Sequence, residues 1–151
     1  MKEIRVAVAG VGNCASALIQ GVEYYRNAKE NELVPGLMHI KFGSYHIRDI
    51  KFVAAFDVNK LKIGKDLSEA IFAEPNCCAK FAEVPKLGVK VLPGPILDGV
   101  ATHMHKPFKA YDNEEMNMDV VEALREAEAD MLVNFLPVGS HKATRFTQMP
   151  V

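Results

Sequence analysis

The sequence predicts an α/β domain built around a parallel sheet wound on both faces, and three observations support this prediction. Apolar runs of strand length occur at 4–9, 51–56 and 131–136. They do not alternate with polar residues, which is typical of parallel strands covered on both faces. Helical periodicity follows the first run. Between them, residues 10–15 have the pattern G-x-G-x-x-A, which is the glycine turn of Rossmann-type domains.

Length and composition indicate one soluble globular domain. The 151 residues are 49% hydrophobic and 25% charged, which is enough for a buried core. A formal net charge of −1 argues against a nucleic-acid partner, and we expect no membrane span and no signal peptide. Three cysteines, Cys14, Cys77 and Cys78, make a poor disulfide framework and favour a reducing cytoplasm.

The glycine turn is the first candidate site. We expect Gly10 to permit the turn, Gly12 to let a pyrophosphate approach the backbone, and Ala15 to let the helix pack closely. The start of the following helix, predicted over 13–26, would offer unpaired N–H groups to phosphates. A glycine turn between a strand and a helix also occurs without a ligand, so the motif alone does not establish a function.

Asp57 directly follows the second strand, where an acidic residue can accept hydrogen bonds from the ribose of the adenosine. The interval from the glycine turn to Asp57 is much longer than the usual one of about 20 residues. A long, partly apolar excursion over 27–49 accounts for the excess, and such a loop is usually functional or covered by a partner. Asp57 would repel a 2′-phosphate, which favours NAD over NADP. The alternative is that Asp57 caps a helix predicted over 60–72.

Further along, the patterns predict a short third strand at 89–92, a helix capped by Asn117 and continuing to about Glu128, and a helix from about His141. The turn between the last strand and this last helix, at 134–140, reaches the same edge of the sheet as the glycine turn. Ligands of open parallel sheets bind at the carboxyl ends of the strands. This second turn is therefore another candidate for cofactor contact.

With these patterns established, the chain resembles the inositol-3-phosphate synthases, most closely their short archaeal and actinobacterial type. The matching segments cover 4–146 almost continuously: AGVGNCAS (9–16), QGVEYY (20–25), VPGLMH (34–39), FVAAFDV (52–58), GKDLS (64–68), GPILDG (94–99) and LVNFLPVGS (132–140). Together they are far more specific than the glycine turn alone.

The resemblance implies an NAD-dependent isomerase that converts glucose 6-phosphate to an inositol phosphate, for inositol and phospholipid biosynthesis. In that reaction NAD takes a hydride from C5, an enolate forms, C6 attacks C1, and the hydride returns, so there is no net redox change. The family also implies a cytoplasmic homotetramer and the possible use of a divalent or monovalent cation.

The resemblance further implies thirteen cofactor-binding positions. They lie in the pyrophosphate turn, at the ribose, at a helix start linked to NAD binding, and beside the nicotinamide: Gly10, Val11, Gly12, Asn13, Cys14, Asp57, Val58, Asp66, Asn134, Leu136, Pro137, Val138 and Ser140. For Asp66 the alternative is a solvated charge on a helix face. No metal ligand and no catalytic residue is assigned.

The family's pattern stops near residue 147, and its members are longer than this chain. We therefore expect residues 1–151 to be the amino-terminal NAD-binding portion, with an incomplete sheet and without the catalytic lysines and aspartates. We expect no cyclase activity from this chain alone. Two alternatives stay open: a free-standing NAD-binding module with a regulatory or partner role, and, less well supported, a small NAD-dependent oxidoreductase.

Overall fold

A computed structural model of the chain describes residues 2–104, 108–111 and 119–147. In chain order its helices and strands are β1 (Ile4–Ala9), α1 (Asn13–Tyr24), β2 (Lys41–Phe42), β3 (Tyr45–His46), β4 (Ile50–Asp57), α2 (Leu67–Ala70), β5 (Val91–Pro93), α3 (Val120–Glu126), β6 (Met131–Asn134) and α4 (His141–Thr147). Short 3-10 turns cover Ile47–Asp49 and Thr102–Met104.

The centre of the fold is a four-stranded parallel sheet with the order β5-β4-β1-β6. The chain moves outward from β1 through β4 to β5 and then returns to the other side of β1 for β6. This reversal creates a switch point at the carboxyl end of β1, where ligands of open α/β sheets bind. The sheet confirms the predicted α/β Rossmann-like fold class.

Both faces of the sheet are covered, as the apolar strands predicted. On one face, Val6 and Val8 of β1 pack with the apolar side of α1 and with α2. On the other face, Ala7 packs with Ala54 and Phe56 of β4 and with the buried side of α3. Because side chains alternate along a strand, one strand of valines and alanines supplies both cores.

The excursion after α1 contains a small antiparallel hairpin, β2–β3, which the sequence patterns do not predict. His46 links the hairpin to the residues that precede and follow it in the excursion. One ring nitrogen, Nε2, lies 2.9 Å from the carbonyl oxygen of Ala28, and the other, Nδ1, accepts a hydrogen bond from the N–H of Arg48. The apolar side chains of Leu33, Met38 and Phe42 are exposed around this hairpin.

The predicted helix over 60–72 is wrong over most of its length, since only the four residues of α2 are helical there. The side-chain oxygen of Asn59 accepts a hydrogen bond from the N–H of Leu61, and Gly64 has a φ of +81°. These features close residues 59–65 into consecutive turns. A local hydrogen bond and a left-handed glycine have overridden an apolar spacing that suits a helix.

The remaining helix and strand predictions differ from the structure mainly at their ends. The helix predicted from Asn117 begins as α3 at Val120, with Asp119 as its N-cap. Asn117 itself lies outside the described residues. The last strand ends at Asn134 rather than residue 136, because the Asn134 side-chain oxygen accepts the N–H of Leu136 at 2.9 Å and begins the turn. Helix α4 begins at His141, as predicted.

No helix within residues 2–104, 108–111 and 119–147 is long and apolar enough to cross a membrane.

Candidate functional site

The glycine turn joins β1 to α1 and requires glycine at its first position. Gly10 has a φ of +90°, and a Cβ there would lie 3.0 Å from the carbonyl carbon and oxygen of Phe135. Its N–H donates to the carbonyl of Phe56 at 2.8 Å. Gly10 therefore lets the ends of three neighbouring strands, β4, β1 and β6, approach one another closely.

Gly12 is glycine for a different reason. It is the N-cap residue of α1, and a Cβ there would have no atom within 4 Å. The space in front of its backbone is open, and it offers no side chain to cap the first N–H groups of α1. An open, uncapped start of a 12-residue helix favours an anion. Ala15, buried completely, packs α1 against the sheet as predicted.

Asp57, the last residue of β4, is bonded to the turn. One carboxylate oxygen accepts the N–H of Val11 at 2.7 Å, and the other accepts the N–H of Asn59 at 2.7 Å. Each carboxylate oxygen can accept a second hydrogen bond. Asp57 can therefore hold the turn and still accept hydrogen bonds from the hydroxyl groups of a ligand in front of it.

Lys62 is a residue of the site that the sequence patterns do not predict. Its side chain is 3% exposed, and its ammonium donates a hydrogen bond to the carbonyl oxygen of Val11. Burial lowers the pKa of Lys62, and attraction to Asp57 opposes that effect. The residue was hidden in the wrongly predicted helix, and the local signals against that helix are Asn59, which bonds the N–H of Leu61, and Gly64.

The second turn, between β6 and α4, reaches the same edge of the sheet. The Asn134 amide nitrogen donates to Thr144 Oγ1 at 3.2 Å, and Ser140 is buried. Asp98 secures α4 from a neighbouring loop, because its carboxylate accepts the N–H groups of Lys142 and Ala143 at 2.8 and 2.9 Å. These hydrogen bonds hold the pKa of Asp98 below its usual value.

A cleft of about 570 Å³ lies between the two turns at the carboxyl ends of the strands. Eight of the thirteen predicted positions line it: Gly10, Gly12, Asn13, Asp57, Val58, Leu136, Pro137 and Val138. Its remaining walls are mostly apolar and include Pro95, Met104, Phe108 and Phe135. A cleft of this size with few polar groups has the character of a small-molecule site.

Five predicted positions do not line the cleft: Val11, Cys14, Asp66, Asn134 and Ser140. Val11 belongs to the core, and its backbone holds Asp57 and Lys62. Cys14 is an exposed free thiol on α1. Asn134 and Ser140 shape the second turn rather than face the cleft.

Asp66 is the N-cap of α2 and is 9% exposed, so the alternative of a solvated charge on a helix face is wrong. Its carboxylate accepts hydrogen bonds from the N–H and hydroxyl of Ser68 and from the N–H groups of Leu87 and Gly88. Burial would raise the pKa of Asp66, but these hydrogen bonds outweigh it and lower the pKa. A cofactor role for Asp66 stays a prediction.

Asn13 links the turn to an irregular segment. Its side-chain oxygen accepts the N–H of Cys77 at 2.8 Å, which brings Pro75 and Cys77 into the wall of the cleft. In the described part of the chain, no group of three or more His, Cys, Asp or Glu side chains is arranged to hold a metal ion.

The chain is similar to known proteins in sequence and in fold. No family model matches the chain. The sequence is 58% identical over 144 residues to the inositol-3-phosphate synthase of Mycolicibacterium smegmatis, and the match covers 95% of this chain but 39% of that protein. The chain thus spans about two fifths of the length of this curated relative.

Two solved structures have the same fold. A crystal structure of Ari2 superposes with a TM-score of 0.73 and 32% identity, over 97% of this chain and 45% of that one. A myo-inositol-1-phosphate synthase-related protein from Thermotoga maritima gives a TM-score of 0.58 with 24% identity, over 89% of this chain and 34% of that one.

Proposed function

This chain belongs to the inositol-3-phosphate synthase family, and on that premise we propose that its cleft binds NAD. The observation that carries the proposal is the open backbone of Gly12, at the start of α1 and beside Asp57. This is the combination that a pyrophosphate and an adenosine ribose require.

Each part of the cleft suits one part of the dinucleotide. The start of α1, with Gly12 and Asn13, would hold the pyrophosphate. Asp57, fixed by its bonds to the backbone, would accept the ribose hydroxyls and disfavour a 2′-phosphate, so NAD is preferred to NADP. The turn containing Leu136, Pro137 and Val138 would face the nicotinamide and keep water from it.

For the whole protein we propose the isomerisation of glucose 6-phosphate to an inositol phosphate, in a cytoplasmic homotetramer with a possible cation requirement. This rests on the name of the relative and on the resemblance. NAD would supply a reversible hydride acceptor. Among the described residues, the ionisable side chains lining the cleft are Asp57, Lys62 and Cys77. We propose that these 151 residues bind NAD and do not catalyse the cyclisation by themselves.

Titration calorimetry of the purified protein with NAD and with NADP tests the binding proposal. We expect NAD to bind and NADP to bind at least about tenfold more weakly, since Asp57 opposes the additional phosphate. Absence of a binding isotherm with NAD would contradict the proposal. A matched assay for inositol phosphate formation from glucose 6-phosphate tests the second part, because turnover by this chain would place catalytic groups within it. Binding without turnover also fits the alternative of a regulatory module.

A further inference from the structure

Lys62 is an unusual residue for the wall of a dinucleotide cleft, because ammonium groups are rarely buried unless they have partners. It lines the cleft beside Gly12 and Asp57 and is 3% exposed. Its bond to the carbonyl oxygen of Val11 complements the bond from the N–H of Val11 to Asp57. The N–H and the carbonyl of one residue in the glycine turn are thus held by two side chains of opposite charge.

The turns that carry Lys62 are themselves well anchored. Asn59 is 1% exposed, and its side chain accepts the N–H of Leu61 and donates to the carbonyl of Glu74. Its carbonyl accepts the N–H groups of Lys62 and Ile63 at 3.0 and 3.1 Å. This local structure, which replaces a regular helix, directs a long cationic side chain back to the glycine turn.

A buried ammonium adjacent to a helix start adds a second source of positive potential to the same part of the cleft. A diphosphate group placed at Gly12 would be attracted by both. By linkage, a ligand that binds more tightly when Lys62 is protonated must in turn favour its protonation.

Resting on the proposed function, we propose that Lys62 is a positioning residue for NAD. It fixes the conformation of the glycine turn through the Val11 carbonyl and supplies a buried positive charge that favours the pyrophosphate. Nothing in the motif of the turn points to it, since it lies 51 positions beyond Val11.

The test compares Lys62→Met and Lys62→Arg with Lys65→Met, which removes an exposed lysine from the same segment. Asp57 and Cys77 are the other ionisable side chains lining the cleft in the described residues, so all proteins carry Cys77→Ser, which leaves only Lys62 and Asp57 as ionisable side chains in that described lining. Circular dichroism and thermal unfolding confirm that each variant is folded before binding is measured.

We expect Lys62→Met to weaken NAD binding at neutral pH by at least about tenfold, Lys62→Arg to recover part of the loss, and Lys65→Met to have little effect. In the Cys77→Ser parent, affinity should fall as the pH rises through the pKa of Lys62, by at most about tenfold per pH unit. In Lys62→Met this dependence should vanish. An unchanged affinity, or a loss with the parent's pH profile intact, would overturn the proposal.

A measurement without ligand separates this proposal from the proposed function. Lys62→Met should shift the backbone amide resonances of residues 10–14, whereas Lys65→Met should leave them unchanged. If the unsubstituted protein does not bind NAD, the proposed function fails, and the resonances alone then decide whether Lys62 fixes the turn. Unshifted resonances in Lys62→Met would overturn that part as well.

Discussion

Asp57 and Val11 are joined by a 2.7 Å hydrogen bond between a side-chain carboxylate and a backbone N–H that lie 46 positions apart. The bond ties the end of β4 to the glycine turn after β1. Because the second carboxylate oxygen is also bonded, to the N–H of Asn59, the side chain is held in one orientation before any ligand arrives. Preorganisation of this kind reduces the entropy lost on binding.

Asp57→Asn should weaken NAD binding by about tenfold and narrow the preference for NAD over NADP. The amide retains one acceptor but sets an NH₂ group against a backbone N–H, and it no longer repels a 2′-phosphate. Titration with both cofactors measures the effect. Asp49→Asn is the control, because it removes a carboxylate charge beside the β2–β3 hairpin, away from the cleft, and should leave the affinities for both cofactors unchanged. An unaltered NAD-to-NADP ratio in Asp57→Asn would count against the ribose role.

Gly12→Ala should leave the fold intact and reduce NAD affinity by at least about tenfold, since a Cβ there meets no protein atom but occupies the space proposed for the pyrophosphate. We expect a stability loss below about 1 kcal/mol from the poorer N-cap. Gly21→Ala is the matched control, because a Cβ there also meets nothing within 4 Å. It should stabilise α1 by up to about 1 kcal/mol and leave affinity unchanged. Equal affinities in the two variants would refute the assignment.

Gly10→Ala should lower the free energy of unfolding for two separate reasons. The positive φ alone costs about 1–3 kcal/mol for a residue with a side chain. The new Cβ would in addition press on the backbone of Phe135 at 3.0 Å. Gly139→Ala isolates the first contribution, because Gly139 has a φ of +97° with open space around it. Urea unfolding should therefore show a larger loss for Gly10→Ala, and similar losses would mean that the close approach is unimportant.

Asp66→Asn should destabilise the protein by about 1–3 kcal/mol, because its amide cannot accept all four hydrogen bonds of the carboxylate. Asp66 has a lowered pKa, so its contribution is fully present above the unfolded pKa of about 3.9 and is lost as pH falls through the lower folded pKa. Unfolding measured between neutral and acidic pH should show the two proteins converging at the acidic end. A difference that persists there would contradict this account.

The same variant also tests the cofactor role that the resemblance implies for Asp66. If Asp66 serves only as the N-cap of α2 and the anchor of residues 87–88, NAD affinity should be unchanged under conditions where the variant is folded. A loss of affinity beyond the effect on stability would support direct or transmitted contact with the cofactor. Asp119→Asn, at the N-cap of α3, is a control in which the amide can replace the carboxylate.

The parts of the site that the sequence predicts are those with local causes. Gly10 and Gly12 follow an apolar strand, and Asp57 ends another, so a short window of sequence suffices to place them. The parts it does not predict depend on distant partners. Lys62 is identified by a bond to Val11, and the β2–β3 hairpin by the contact of His46 with Ala28. Periodicity in the segment 60–72 indicated a helix because it records neither the bond from Lys62 to Val11 nor the local turns made by Asn59 and Gly64.

The strand order has a consequence for how the protein folds. β1 pairs with β4 and with β6, so Val6 is opposite Phe52 on one side and opposite Met131 on the other. Both partners are synthesised after β1, and the second emerges from the ribosome more than a hundred residues later. Such high contact order slows folding. We expect the glycine turn to gain its native conformation only in the last folding phase, and pulse-labelling hydrogen exchange during refolding should find the amides of residues 10–12 among the last to be protected.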